Sequence, residues 1–235
     1  TMGTTYSVKV VGATVDDVQL AALIDERLLR INQLMSTYMP ASELSQFNDA
    51  PADVWFDVSP ETLAVIALST EIATISEGSF DVTVGPLVNL WGFGPQQIPD
   101  HVPSAAEIEA IRDRVGFTHL QARPGALRKD AALYVDLSAI AKGFAVDEIV
   151  SLLEARGLVN YLVEVGGEIR ARGKNPGGQI WRVAIELPDA SQRRPYQVVE
   201  LADMSMATSG DYRNYFEQGG VRFSHTIDPA TGSPI

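Results

Sequence analysis

The sequence predicts an α+β fold with a largely antiparallel sheet and flanking helices. Helical periodicity dominates the first two thirds of the chain. β-rich segments crowd the last third with no helix between them, which favours antiparallel pairing. The regular strand–helix alternation of a doubly wound sheet is missing.

Each element has a local reason. Tyr6 to Val11 alternates with period two and predicts a strand. Leu20, Ile24, Leu28, Ile31 and Met35 recur at three- and four-residue steps and predict an amphipathic helix. Val54 to Val58 predicts a short strand. Ser59 and Pro60 supply an N-cap and a first-turn proline for a helix running to about Ser76. Ser104 and Glu107 form a capping box for a helix ending near Gly116. Leu133 to Asp136 predicts a strand, and 141–156 a helix closed by Gly157. Strands are predicted at Tyr161 to Val165, Glu168 to Arg172, Trp181 to Leu187 and Gln197 to Leu201. Tyr212 to Glu217 and Val221 to His225 predict a hairpin around Gln218-Gly219-Gly220.

Composition removes several function classes. The 235 residues are 46% apolar and 20% charged, enough to bury a core. Eighteen basic residues against 30 acidic ones give a net charge of −12, which repels nucleic-acid phosphates. The largest basic cluster is Arg193-Arg194. No apolar run approaches the ~20 residues of a membrane helix. Cysteine is absent, which excludes disulfides, thiolate metal sites and cysteine nucleophiles. His101, His119 and His225 are too scattered to suggest a histidine metal site. Gly166-Gly167 followed by Gly173-Lys174 fails as a P-loop, because the spacing is wrong and Asn175 stands where Ser or Thr is needed. Trp91 to Pro95 lacks the third glycine of a dinucleotide fingerprint.

Four segments carry candidate chemistry. In Tyr134 to Gly143 a strand ends in Asp136 and a tight connection feeds a helix, so amides and Lys142 can face an anion. An N-cap with a solvated lysine explains the same residues. Glu164-Val165-Gly166-Gly167-Glu168 reads either as a hairpin turn or as bare backbone open to a flat ligand. Thr208 to Tyr212 and Ser224 to Gly232 bracket the last hairpin with hydroxyls, two carboxylates and a histidine. Turn chemistry explains most of these. It explains His225 less well, and a histidine can act as general base near neutral pH. Tyr38, Phe80, Trp91 and Phe93 fit core packing or stacking on a flavin or adenine ring.

Eight segments in this order resemble the ApbE family of FAD:protein FMN transferases. They are Thr1 to Thr4, Met35 to Tyr38, Gly78 to Pro86, Leu90 to Gly94, Asp136 to Gly143, Val165 to Glu168, Ala207 to Gly210 and Ser224 to Gly232. The resemblance covers almost the whole chain and implies one flavin-transferase domain over residues 1–235. It implies an α+β fold related to the T-fold, with two lobes and FAD in a cleft between them. It implies FAD contacts at Met2, Tyr38, Ser79, Phe80, Asp81, Asp136, Lys142 and Ile227. It also implies a magnesium ion bound by the Ala139 carbonyl, with the family's other protein ligands, an Asp and a Thr, in a segment expected beyond Ile235. Mg²⁺ binding to this chain alone is expected to be weak.

The implied reaction is Mg²⁺-dependent transfer of FMN from FAD to a threonine hydroxyl of an acceptor flavoprotein, releasing AMP. A redox-pump or respiratory subunit fits as acceptor. His225 is the first candidate for the base and Asp228 the second. Two other readings stay open: an FAD pyrophosphatase giving FMN and AMP, and a non-enzymatic FAD carrier. The resemblance places the protein in the bacterial periplasm or cell envelope, with a leader or lipid anchor expected ahead of Thr1.

Overall fold

The computed structural model describes residues 2–12, 16–95, 102–188, 194–210 and 214–235. His101, Arg193, Asp211 and Tyr212 lie outside the described residues. In chain order the elements are β1 (Tyr6–Val10), α1 (Asp17–Met35), α2 (Glu43–Asp49), β2 (Phe56–Asp57), α3 (Pro60–Ile75), α4 (Gly85–Leu90) and α5 (Ala105–Ile111). There follow β3 (Leu120–Arg123), β4 (Ala126–Lys129), α6 (Ala141–Glu154), β5 (Tyr161–Val165), β6 (Glu168–Arg172), β7 (Trp181–Glu186) and β8 (Pro195–Leu201). The last strands are β9 (Ser205–Met206), β10 (Tyr215–Gln218), β11 (Val221–Ser224), β12 (Ile227–Asp228) and β13 (Ser233–Pro234). The chain divides into two compact units, Thr1–Asn32 with Ala141–Arg213, and Gln33–Ile140 with Asn214–Ile235.

The first unit is built on a four-stranded antiparallel sheet in the order β1-β5-β6-β9. β5 is buried at four of its five positions, so neither face of it is solvated. Helix α6 covers one face with Ala145, Val146, Ile149 and Leu153, apolar residues at helical spacing. On the other face Leu162 and Ala171 pair across the strands and pack with Trp181 and Leu201 of the β7–β8 ribbon. Trp181 Nε1 donates to the Arg172 carbonyl at 3.0 Å. The phenol of the fully buried Tyr161 donates to Glu154 at 2.6 Å, and Arg172 reaches the same carboxylate oxygen.

The second unit holds α2 to α5, the sheet β2-β4-β3 and the ribbons β10–β11 and β12–β13. One core cluster gathers Leu87, Trp91, Phe216 and Ile227, with Phe93, Ile108 and Phe223 packed against it. Phe216 stacks on Phe223 at 5.2 Å between ring centroids, and Trp91 lies 5.5 Å from Phe223. Trp91 Nε1 is satisfied inside the cluster by the Gly232 carbonyl at 2.8 Å.

The α+β expectation holds, and every ladder between named strands is antiparallel. The strands make several small sheets rather than one. The strand predicted over Leu133 to Asp136 does not form. Among the described residues its one bridge joins Tyr134 to Val84. At Val135 a side chain takes the place of a neighbouring strand: Asn48 Nδ2 donates to the Val135 carbonyl at 2.8 Å, and Asn48 Oδ1 accepts from its N–H at 2.7 Å. The capping box at Ser104 and Glu107 is present, but α5 ends at Ile111 and tightens into a 3-10 turn over Arg112–Arg114. The sequence reading does not anticipate helices α2 and α4 or strands β3, β4, β9, β12 and β13.

Two tyrosines tie the first unit's stability to alkaline pH. Tyr6 is raised to about 12, first by its hydrogen bond to Asp25 and then by burial. Tyr161 is raised to about 12, first by burial and then by its bond to Glu154. Both folded-state values lie above the ordinary 10.0, so the unfolded chain loses these protons first. Their contribution is complete below that value and is lost as the pH climbs toward 12. Urea-denaturation midpoints should therefore fall across this window, and Tyr161→Phe should fall less steeply than wild type.

Candidate functional site

The residues singled out from sequence divide between the two units. Met2 and Lys142 belong to the first, and Tyr38, Ser79, Phe80, Asp81, Asp136, Ala139, His225, Ile227 and Asp228 to the second.

In the first unit, Gly166 and Gly167 form the two-residue turn between β5 and β6, with Val165 and Glu168 as the closing pair. Their φ angles are 57° and 97°, and a two-residue hairpin needs such left-handed positions. A Cβ at Gly166 would lie 2.8 Å from Thr4 Cγ2 and 2.9 Å from Lys142 Cδ. The segment is a hairpin turn, and the close approach at Gly166 is to the protein's own side chains. Lys142 crosses the turn and donates to Glu168 at 2.8 Å and to the Gly166 carbonyl at 3.3 Å. Its charge is met by a carboxylate and is not simply solvated. Met2 is half-buried at φ 49°, in a turn with Gly3 just before β1.

In the second unit the loop after α1 presents Tyr38. The Ser36 carbonyl accepts from Ser42 Oγ at 2.6 Å and Ser45 Oγ at 3.2 Å, and Ser36 Oγ accepts from the Tyr38 N–H at 3.2 Å. The Tyr38 residue is 65% exposed, yet its hydroxyl donates to the Phe93 carbonyl at 3.3 Å. Burial of that hydroxyl end, and then the Asp136 charge, push its pKa up. Asp136 also raises Tyr134, after burial as the leading cause. The Asp136 N–H donates to the Val82 carbonyl at 2.7 Å, and one carboxylate oxygen accepts from the Ser138 N–H at 2.8 Å. That is an Asx turn; Asp136 is not the cap of α6, which starts only at Ala141. Ala139 is exposed in the intervening turn.

His225 follows β11. The Asn214 carbonyl lies 3.1 Å from both the His225 N–H and its Nδ1. A carbonyl only accepts, so this contact assigns the hydrogen to Nδ1 and leaves Nε2 with the lone pair. The imidazole stands edge-on to Phe93, 6.4 Å between centroids at 70°. Phe93 therefore joins two predicted residues: its carbonyl takes Tyr38 and its ring faces His225. Asp228 is engaged locally, one carboxylate oxygen accepting from the Ala230 N–H at 2.9 Å and its carbonyl from the Gly232 N–H at 2.8 Å. Ile227 is buried in the Leu87, Trp91 and Phe216 cluster, so its side chain serves the core.

Ser79, Phe80 and Asp81 form a separate turn. Ser79 is exposed, and the Phe80 N–H donates to Ser76 Oγ at 3.1 Å. Asp81 is buried and turned inward. It accepts from the Thr83 N–H at 2.7 Å, Thr83 Oγ1 at 2.6 Å and the Phe117 N–H at 2.8 Å. Thr83 Oγ1 in turn accepts from the Gly116 N–H at 2.7 Å. Sequence reasoning missed Thr83, Ser42, Ser45 and Asn48. The signal for the last three was polar residues at three-residue spacing interleaved with Leu44 and Phe47. Among the described residues no three His, Asp or Glu side chains gather closely enough to hold a metal ion, so a magnesium ion would draw on backbone carbonyl, phosphate or water oxygens as further ligands.

Residues 2–235 match the model of the ApbE family. The chain is 50% identical over 238 residues to a Vibrio cholerae protein named FAD:protein FMN transferase, covering 100% of this chain and 71% of that one. The structure of the flavin transferase ApbE from Vibrio cholerae superposes with a TM-score of 0.91 at 48% identity, over 100% of this chain and 76% of that one. The apo flavinyl transferase ApbE of Pseudomonas stutzeri gives 0.90 at 41% identity, over 100% and 74%. This chain belongs to the ApbE family.

The turn at Gly166 gives a direct check on the local geometry. Gly166→Ala forces a left-handed non-glycine residue against Thr4 and Lys142, and should cost about 1–3 kcal/mol in urea denaturation. A variant as stable as wild type would show that the turn does not need glycine there.

Proposed function

We propose that this chain transfers FMN from FAD to a protein, joining the FMN phosphate to a threonine hydroxyl and releasing AMP. The observation that carries the reading is His225. Its Nδ1 is committed to the Asn214 carbonyl and its ring faces the Phe93 ring, while the Phe93 carbonyl takes the Tyr38 hydroxyl. Nε2 then takes the proton of the incoming hydroxyl. The threonine oxygen bonds to the FMN-side phosphorus, the bond from that phosphorus to the bridging oxygen breaks, and the bridging oxygen leaves with AMP. Asp228 is the weaker candidate, since one of its oxygens already holds the Ala230 N–H. The exposed Tyr38 ring offers a stacking face, and Asp136 keeps one carboxylate oxygen beyond its turn bond to accept from a ribose, adenine or flavin donor.

Magnesium belongs to the proposal as a neutraliser of phosphate charge. It would draw on the Ala139 carbonyl, phosphate oxygens and water. The names of the relatives support a flavoprotein as acceptor. The bacterial periplasm or cell envelope is proposed on family resemblance. No helix among the described residues is long and apolar enough to cross a membrane.

The test is mass spectrometry of a threonine-bearing acceptor flavoprotein incubated with the protein, FAD and Mg²⁺. Wild type should add one FMN to the acceptor. His225→Ala should slow transfer on the order of 10²–10⁴-fold while FAD binding is largely kept. Wild-type rates in the variant would move the base to Asp228. Release of free FMN alone, with acceptor present, would replace transfer by pyrophosphate hydrolysis.

A further inference from the structure

We infer that helix α2 is a positioning element for the flavin site, with Asn48 setting Asp136 and Ser42 with Ser45 setting Tyr38. The inference rests on the proposed flavin contacts of Tyr38 and Asp136.

α2 has seven residues, too few to be a stable helix alone. Its buried face carries Ser42, Ser45 and Asn48 beside Leu44 and Phe47. Three-residue steps put these polar groups along one side of the helix. Each is used. Ser42 caps the helix by accepting from the Ser45 N–H at 3.0 Å. The hydroxyls of Ser42 and Ser45 both donate to the Ser36 carbonyl, two residues before Tyr38. At the other end the Asn48 amide spans the N–H and carbonyl of Val135, one residue before Asp136.

The helix is itself fixed at both ends. Glu43 accepts from the Ser59 N–H at 2.9 Å and from Ser59 Oγ at 2.8 Å, so the first turn of α2 is tied to the N-terminus of α3. Lys129 is 3% exposed and donates to the Asn48 carbonyl, with its ammonium 5.4 Å from the centre of the Phe47 ring. A cation at the last carbonyls of a helix complements its dipole. Nothing in this arrangement faces outward to a ligand. It sets the distance between two loops, one ending in an aromatic ring and the other in a carboxylate. These are the two groups close enough for the Asp136 charge to bear on the Tyr38 phenol.

The consequence is a coupling that simple loss of packing does not produce. With Asn48 removed, Val135 loses both its bonds and Asp136 loses its fixed place, while His225 keeps the Asn214 carbonyl. Asn48→Ala should therefore raise the FAD dissociation constant about tenfold, with kcat at saturating FAD little changed and the loss appearing in KM. In the Asp136→Asn background the same change should add less than threefold, because the group it positions is already disabled. Flavin fluorescence quenching gives the affinities, and the mass-spectrometric transfer assay gives kcat and KM. Should Asn48→Ala fold poorly, Ser45→Ala removes only the 3.2 Å bond and is cycled against Tyr38→Ala in the same way. FAD affinity unchanged in Asn48→Ala and Ser45→Ala, or losses that add independently to those of Asp136→Asn and Tyr38→Ala, would overturn the positioning role alone. Unchanged affinity in Asp136→Asn and Tyr38→Ala themselves would overturn the flavin reading of these residues, and the positioning role with it.

Discussion

Val135 is fully buried, and where an edge strand would lie beside it the Asn48 amide supplies both its hydrogen bonds. A buried peptide group left without a partner costs ~1–3 kcal/mol, so this single side chain decides whether the 133–136 segment can run through the core. The path of that segment sets where the next carboxylate emerges. Asp136 leaves the core here, bonds back to Val82 and turns over Ser138 toward Ala139. The same logic recurs at Asp81 and Thr83, which satisfy the half-buried amides of Phe117 and Gly116. In this unit the polar side chains that look functional in sequence are divided. Some face inward to hold loops, and others are the groups those loops present.

The first unit reaches its order by a different route. β5 is sandwiched between α6 and the β7–β8 ribbon, so apolar burial on both faces fixes the register that the Gly166-Gly167 turn begins. Lys142 then packs its stem over that turn and gives its ammonium to Glu168, a salt bridge at 2.8 Å with only partial exposure on either side. Such a pair helps hold the start of α6 against the hairpin.

Legibility in the sequence followed the same division. β5 and β6 were readable to the residue, because two β-rich runs of equal length flank a two-glycine turn. α2 was hidden, because the face it buries carries serines and an asparagine, and no apolar period betrays it. β4 was hidden by Lys129, a charged residue that the structure buries against carbonyls and a ring. At the site, His225 stood out because turn chemistry did not account for it, and the Asn214 contact gives it an orientation suited to a base. Asp81 is expected from the family resemblance to contact FAD, and its oxygens accept from two backbone amides and a hydroxyl. Which way a carboxylate points is set by partners tens of residues away, and a linear pattern does not carry that.

Transfer of FMN with loss of AMP requires both halves of the dinucleotide to be fixed around the pyrophosphate, so the chain must hold the whole of FAD. The direct measurement is the affinity of the protein for FAD and for FMN, by flavin fluorescence quenching under one set of conditions. FAD should bind more tightly, by at least about tenfold, the worth of one well-made charged hydrogen bond or ring stack to the adenylate half. Equal affinities would mean that the adenylate half is not recognised, and would contradict the reading of this chain as an enzyme that takes FAD.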